Sequence, residues 1–113
     1  MSSDPHRELG RIADGDGPGA RAAKNALGGG ADATRLRAAI LALAAHRGPE
    51  SSICPSDAAR AVGGDDWREL SEESRRIAFE LAAEGDVDVT QRGDVIDPHQ
   101  PARGPIRIRI RPT

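Results

Sequence analysis

The chain has little aromatic material: one Trp, one Phe and no Tyr among 113 residues. Its core must therefore be built from Leu, Ile and Val, since the rest of the apolar fraction leans on Ala. At ~0.05 to 0.15 kcal/mol per residue, about 80 ordered residues give a net stability of roughly 4 to 12 kcal/mol, which leaves no margin for a large unfilled pocket. The single cysteine, Cys54, excludes an intramolecular disulfide and is too few for a Cys-based zinc site, which fits a reducing cytoplasm. Long apolar runs are missing as well. AAILALAA at 38 to 45 is far short of the roughly 20 residues that cross a bilayer, and MSSDPHRELG lacks the basic start and apolar stretch of a signal peptide. No membrane association is expected.

Neither sign of charge dominates, with 16 basic and 18 acidic side chains. His6, His46 and His99 are scattered without ligand spacing, and no Ser/His/Asp arrangement can be argued. GDGPG and GGG neither follow a strand nor open a helix, as a phosphate-binding loop does, and read as flexible linker. These absences point away from an enzyme and call for no metal or organic cofactor.

Residues 1 to 31 are rich in Gly, Ala, Asp and Arg and offer only Leu9, Ile12 and Leu27 as sizeable apolar groups. Ordering each residue costs about 1 to 2 kcal/mol of backbone entropy, so the segment reads as a disordered leader with at most a frayed turn at Arg21 to Leu27. From 32 to 113 the pattern is that of a folded domain. Leu36, Ile40 and Leu43 recur at helical spacing, with Asp32 or Thr34 to cap the start and Gly48–Pro49 to stop the helix after Arg47. ESSI makes a short extended link. Pro55 opens a second, short helix with Ala58, Ala59 and Val62 on one face, ended by Gly63 and Gly64. Asp66 and Glu69 have capping-box spacing, and a third helix runs roughly from Ser71 to Glu84. Beyond Gly85 the period falls to two: DVDVTQ, a turn at Arg92–Gly93, DVID, and finally IRIRI at 106 to 110.

Three helices followed by a small antiparallel β-wing make an α+β chain with the winged helix-turn-helix plan. The motifs ICPSDAARAVGGDDW, LAAEGDVDVTQRG, and VIDP followed by RGPIRIR also resemble a small bacterial family of uncharacterised winged-helix proteins, over about residues 34 to 111. The resemblance implies the fold and leaves the role open, because winged helices serve both DNA binding and protein interaction.

Under the DNA-binding reading the partner is double-stranded DNA. The third helix would enter the major groove, with Arg75 and Arg76 as its readers, and the turn at Gln91 to Gly93 would bring Arg92 to the backbone or minor groove. Against this, Asp65, Asp66, Glu69, Glu72 and Glu73 crowd the start of that helix, and residues 34 to 113 carry 12 basic against 13 acidic side chains. Counterion release would then rest on a local patch. The plainer reading of Arg75 and Arg76 is a solvated face paired with Glu72 and Glu80. Under the second reading the partner is another protein, and Phe79, exposed on an ideal wheel, is the anchor; the plainer alternative is that another element covers it. Trp67 is expected to plug the junction of the second and third helices, and Cys54 to be a small buried hydrophobe.

The tail RGPIRIRIRP poses the same choice between arm and strand. Burying Ile106, Ile108 and Ile110 is worth about 1.5 to 3 kcal/mol each, which should draw the segment into the sheet. Arg107 and Arg109 would then face Asp86 and Asp88, while Arg103 and Arg111, at the strand's two ends, stay freer to meet a partner.

Overall fold

Alanine is the commonest of the buried apolar residues and sets how closely the helices approach. A computed structural model describes residues 4–28 and 31–111. It has five α-helices and a three-stranded sheet: α1 (Pro5–Asp14), α2 (Ala20–Leu27), α3 (Asp32–Arg47), α4 (Pro55–Gly63), a 3₁₀ turn (Gly64–Leu70), α5 (Ser71–Glu84), β1 (Val87–Gln91), β2 (Asp94–Val95) and β3 (Arg107–Ile110). The chain is α+β, with the sheet at its C-terminal end, in a layout compatible with a winged helix. None of the described helices is long and apolar enough to cross a membrane.

The central helix is α3. Leu36, Ala39, Ile40, Ala42 and Leu43 are fully buried, because both α2 and the α4–α5 pair pack on it. Its N-cap is Ala31, with no side-chain bond; Asp32 lies inside the first turn, where its charge favours the helix dipole. Gly48, at φ +80°, ends the helix. α4 starts with Pro55 behind Cys54, whose backbone N–H donates to the Asp57 carboxylate at 2.9 Å. The expected box from Asp66 to Glu69 does not form: that stretch is the 3₁₀ turn, without a side-chain cap. α5 ends in a Schellman closure, with Gly85 left-handed at φ +89° and the Asp86 N–H donating to the Leu81 carbonyl at 3.0 Å. Ser74 is buried on its inner face and donates to the Pro55 carbonyl at 2.7 Å, tying α5 to the start of α4.

The sheet runs in the order β2–β1–β3, all antiparallel, with Val87 opposite Ile110, Asp88 opposite Arg109, Val89 opposite Ile108 and Thr90 opposite Arg107. Ile53, in the link before α4, extends it by one bridge to Ile108. Val87, Val89, Ile106 and Ile108 close the core beneath α3 and α5. The tail is thus a strand, as the burial argument requires.

Residues 5 to 27 differ from the sequence expectation. The reading of 1 to 31 as a disordered leader is corrected over the described part, where α1 and α2 pack into the same core; residues 1–3 and Gly29 and Gly30 lie outside the described residues. Leu9 is fully buried and Ile12 nearly so, joined by Ala13, Ala23 and Ala26. The hydrophobe count underrated this segment because alanine loses almost no side-chain entropy on burial. Polar contacts add to it. Asp4 caps α1 through the His6 N–H at 3.0 Å, the Arg35 Nε donates to the Ala26 carbonyl at 3.0 Å, and Arg47 donates to both Glu8 oxygens at 2.9 and 3.2 Å. Gly19 makes the close approach possible. It is left-handed at φ +85°, and a Cβ there would lie 2.7 Å from the Ala42 carbonyl oxygen.

Two measurements check this packing. Gly19→Ala should cost about 1 to 3 kcal/mol through backbone strain and the clash with α3, lowering the thermal midpoint by roughly 4 °C or more. An unchanged midpoint would mean that α2 does not pack there. The second concerns Glu84, which joins α5 to α3 by accepting both Arg37 NH groups. This ion pair, chiefly through its hydrogen bond, holds the Glu84 carboxyl below the usual carboxylate range. A carboxyl depressed on folding contributes stability above its unfolded value of about 4.3 and loses it as pH falls through the folded value. Glu84→Gln should therefore flatten the acid limb of stability against pH below about pH 5; an identical acid limb in both proteins would rule the pair out as a contributor.

Candidate nucleic-acid interface

The adjacent arginines of α5 meet different fates. Arg76 points outward and is held between Glu73 and Glu80, which sit one turn away on either side. Its pKa is raised, mainly by the hydrogen bond to Glu73, and the same pair lowers that of Glu73. The plain solvated reading holds for Arg76, with Glu73 in the place assigned to Glu72. Arg75 leans toward the loop that precedes β3 and donates to the carbonyls of Ala102 and Gly104, each at 2.8 Å. Its guanidinium also lies over the Phe79 ring, 5.6 Å from the centroid. As base or phosphate readers on a docked helix, both arginines are already engaged.

Phe79, outward on an ideal wheel, is half-buried and packs against the core, in line with the plainer of its two readings. Trp67 is half-exposed, sandwiched between the guanidinium groups of Arg60 at 4.5 Å and Arg68 at 4.7 Å, rather than plugging the helix junction. Cys54 is partly exposed, with Sγ 3.6 Å from the Asp57 carboxylate and 3.3 Å from the nearest Arg107 nitrogen. Among the described residues no group of three or more His, Cys, Asp or Glu side chains converges as a metal site requires.

The wing is where cations gather. Gln91, Arg92, Gly93 and Asp94 form a two-residue hairpin turn, with positive φ at Arg92 (53°) and Gly93 (87°), as type I′ geometry demands. Arg92 accordingly stands at the tip. Behind it the Gln91 amide donates to the carbonyl of Arg103 at 2.6 Å and more weakly to that of Pro105 at 3.4 Å. Arg75 holds the carbonyls on either side of Arg103. Two side chains from separate elements thus fix the backbone that displays Arg103. Arg92, Arg103 and Arg107 line one cleft of about 540 Å³, together with Asp94, Ile96 and Pro105. Among the described residues neither Arg92 nor Arg103 enters an ion pair.

The last strand distributes its arginines differently from the expectation. Arg107 is not opposite a carboxylate: it donates to the Ser52 hydroxyl at 2.9 Å and the Ser52 carbonyl at 3.0 Å. Asp86 lies near Arg37 instead. Arg109 keeps its expected partner Asp88 at 3.8 Å, but Arg111 reaches the same carboxylate at 3.0 Å and is therefore not the freer residue. Of the five arginines singled out from sequence, the structure brings Arg92 and Arg103 together, places Arg75 behind them as a support, and turns Arg76 and Arg111 to intramolecular carboxylates. Arg107 was missed as a lining residue, because the strand register alone pointed it at an acid.

Arg75→Met should release the loop that carries Arg103. Two charge-assisted bonds, partly exposed, make this worth about 1 to 3 kcal/mol locally. Amide exchange at residues 102 to 106 should accelerate while that of α3 stays slow; unchanged exchange in the loop would deny Arg75 its supporting role.

A family model described as protein of unknown function, DUF3253, matches residues 33–111, which is more than half of the chain. No curated protein matches it.

Proposed function

We propose that this chain, which belongs to the DUF3253 family of proteins of unknown function, is a winged-helix module that binds duplex DNA through its wing, in a regulatory role. The observation that carries the reading is the convergence of Arg92, Arg103 and Arg107 on one cleft, none of them with an intramolecular carboxylate partner among the described residues. The element order supports it: α3, the Ile53 bridge, α4, α5 and a hairpin follow one another as in winged helices. Phosphate oxygens suit such a cluster, since guanidinium groups bind them in bidentate fashion and counterions are released as they do. The rival reading, protein interaction anchored on Phe79, has less behind it, because that ring is packed and covered by Arg75.

Titrating a labelled duplex at low salt, followed by fluorescence anisotropy, should give saturable binding that weakens as salt rises. The double variant Arg92→Ala, Arg103→Ala should lower affinity about tenfold or more and make the salt dependence shallower. If wild type gives no salt-sensitive binding, the reading is wrong.

A further inference from the structure

We infer that α5 stays out of the major groove and that the wing alone makes the contact, so that the protein reads the sugar–phosphate backbone of the duplex and not its base sequence. This rests on the DNA-binding reading above and specifies the class of target. A helix that reads bases needs free donors aimed at base edges. On α5 the donors are engaged: Arg76 sits between Glu73 and Glu80, and Arg75 holds Ala102 and Gly104. The helix carries two arginines against four glutamates, Glu72, Glu73, Glu80 and Glu84. Its entry is no better, for Asp65, Asp66 and Glu69 are exposed on the preceding 3₁₀ turn. Seating this helix between two phosphate backbones would set carboxylates against phosphates on both sides, with a screening length of only about 8 to 10 Å to relieve them.

The wing has the opposite character. Arg92 is lifted clear at the hairpin tip by its positive φ, and Arg103 is presented on a backbone fixed from both sides by Gln91 and Arg75. Such cations at a hairpin tip and on a loop follow a backbone or enter a narrow minor groove, where the base edges present a largely degenerate pattern. Arg75 is then a positioning residue, acting on DNA through Arg103.

The test is selection from a pool of random-sequence duplexes with the full chain, followed by affinity measurements on the recovered pool for variants. The expected result is recovery of DNA without an enriched motif, equal affinity within about threefold for unrelated duplexes, and no loss with Arg76→Ala. Arg92→Ala and Arg103→Ala should each flatten the plot of log affinity against log salt by about one unit. Enrichment of a motif whose binding falls tenfold or more with Arg76→Ala would overturn the inference while leaving DNA binding intact. Failure to recover any DNA above background would overturn both. Circular dichroism of each variant separates loss of contact from loss of fold.

Discussion

The carbonyl of Ser52 is the point on which the two halves of the molecule depend. It accepts from Arg47, at the end of α3, and from Arg107, on β3, at 3.1 and 3.0 Å. One residue on, Ile53 exchanges both backbone bonds with Ile108, at 2.7 and 2.8 Å. Arg47 also reaches Glu8 on α1 and lies 3.8 Å from Asp57 on α4. A single guanidinium, with only 22% of its side chain exposed, therefore gathers α1, α3, the link and α4 around the place where the sheet is attached. Partial burial makes such a knot asymmetric in energy. Its attraction is offset by desolvation when it forms, but losing one partner strands a charge in a poorly hydrated site. Its contribution is thus to fix how the elements meet more than to add net stability, and the wing inherits its position from it.

How much of this was legible varies with the kind of evidence each element left in the sequence. α3 announced itself because Leu36, Ile40 and Leu43 are large and regularly spaced, and the change of period after Gly85 marked the strands in the same way. α1 and α2 were hidden because they bury few large residues, only Leu9 and Ile12 in α1 and only the small Ala23 and Ala26 in α2, and because the close approach of α2 to α3 turns on Gly19, a residue otherwise read as linker. Small residues give little transfer energy apiece but allow backbones to come near, where many weak dispersion contacts accumulate. That gain depends on the partner surface, which is a tertiary property.

The candidate interface was legible only in part, for a related reason. Whether an arginine is free depends on what lies within about 6 Å of it, and only neighbours on its own helix or across a known strand can be read from spacing. Arg76 was readable in this sense, since Glu73 and Glu80 lie three before it and four after. Arg75 was not. Its partners are the carbonyls of Ala102 and Gly104, in a loop whose path is set by prolines, by the left-handed Gly104 and by the Gln91 amide. Arg111 shows the converse: it appeared free at the end of a strand, yet it is long enough to reach diagonally back to Asp88. Spacing alone therefore misjudged which of these arginines were already engaged within the chain.

A cluster of three arginines also limits what the proposed contact can do. Neutralising three phosphates gives a salt slope of roughly −0.9 per contact, so a fourfold rise in salt costs about fortyfold in affinity. Arg107 counts for less than a full contact, because its donors are partly taken by Ser52. The near balance of charge in the rest of the chain adds no long-range attraction to make up the difference. Binding of this kind is brief and indifferent to sequence when one module acts alone. It becomes lasting only when a second contact, from another copy or another protein, raises the effective concentration at the site. On the proposed reading the acidic residues of α5 fit that limit, because its four glutamates would meet phosphate if the helix approached the duplex.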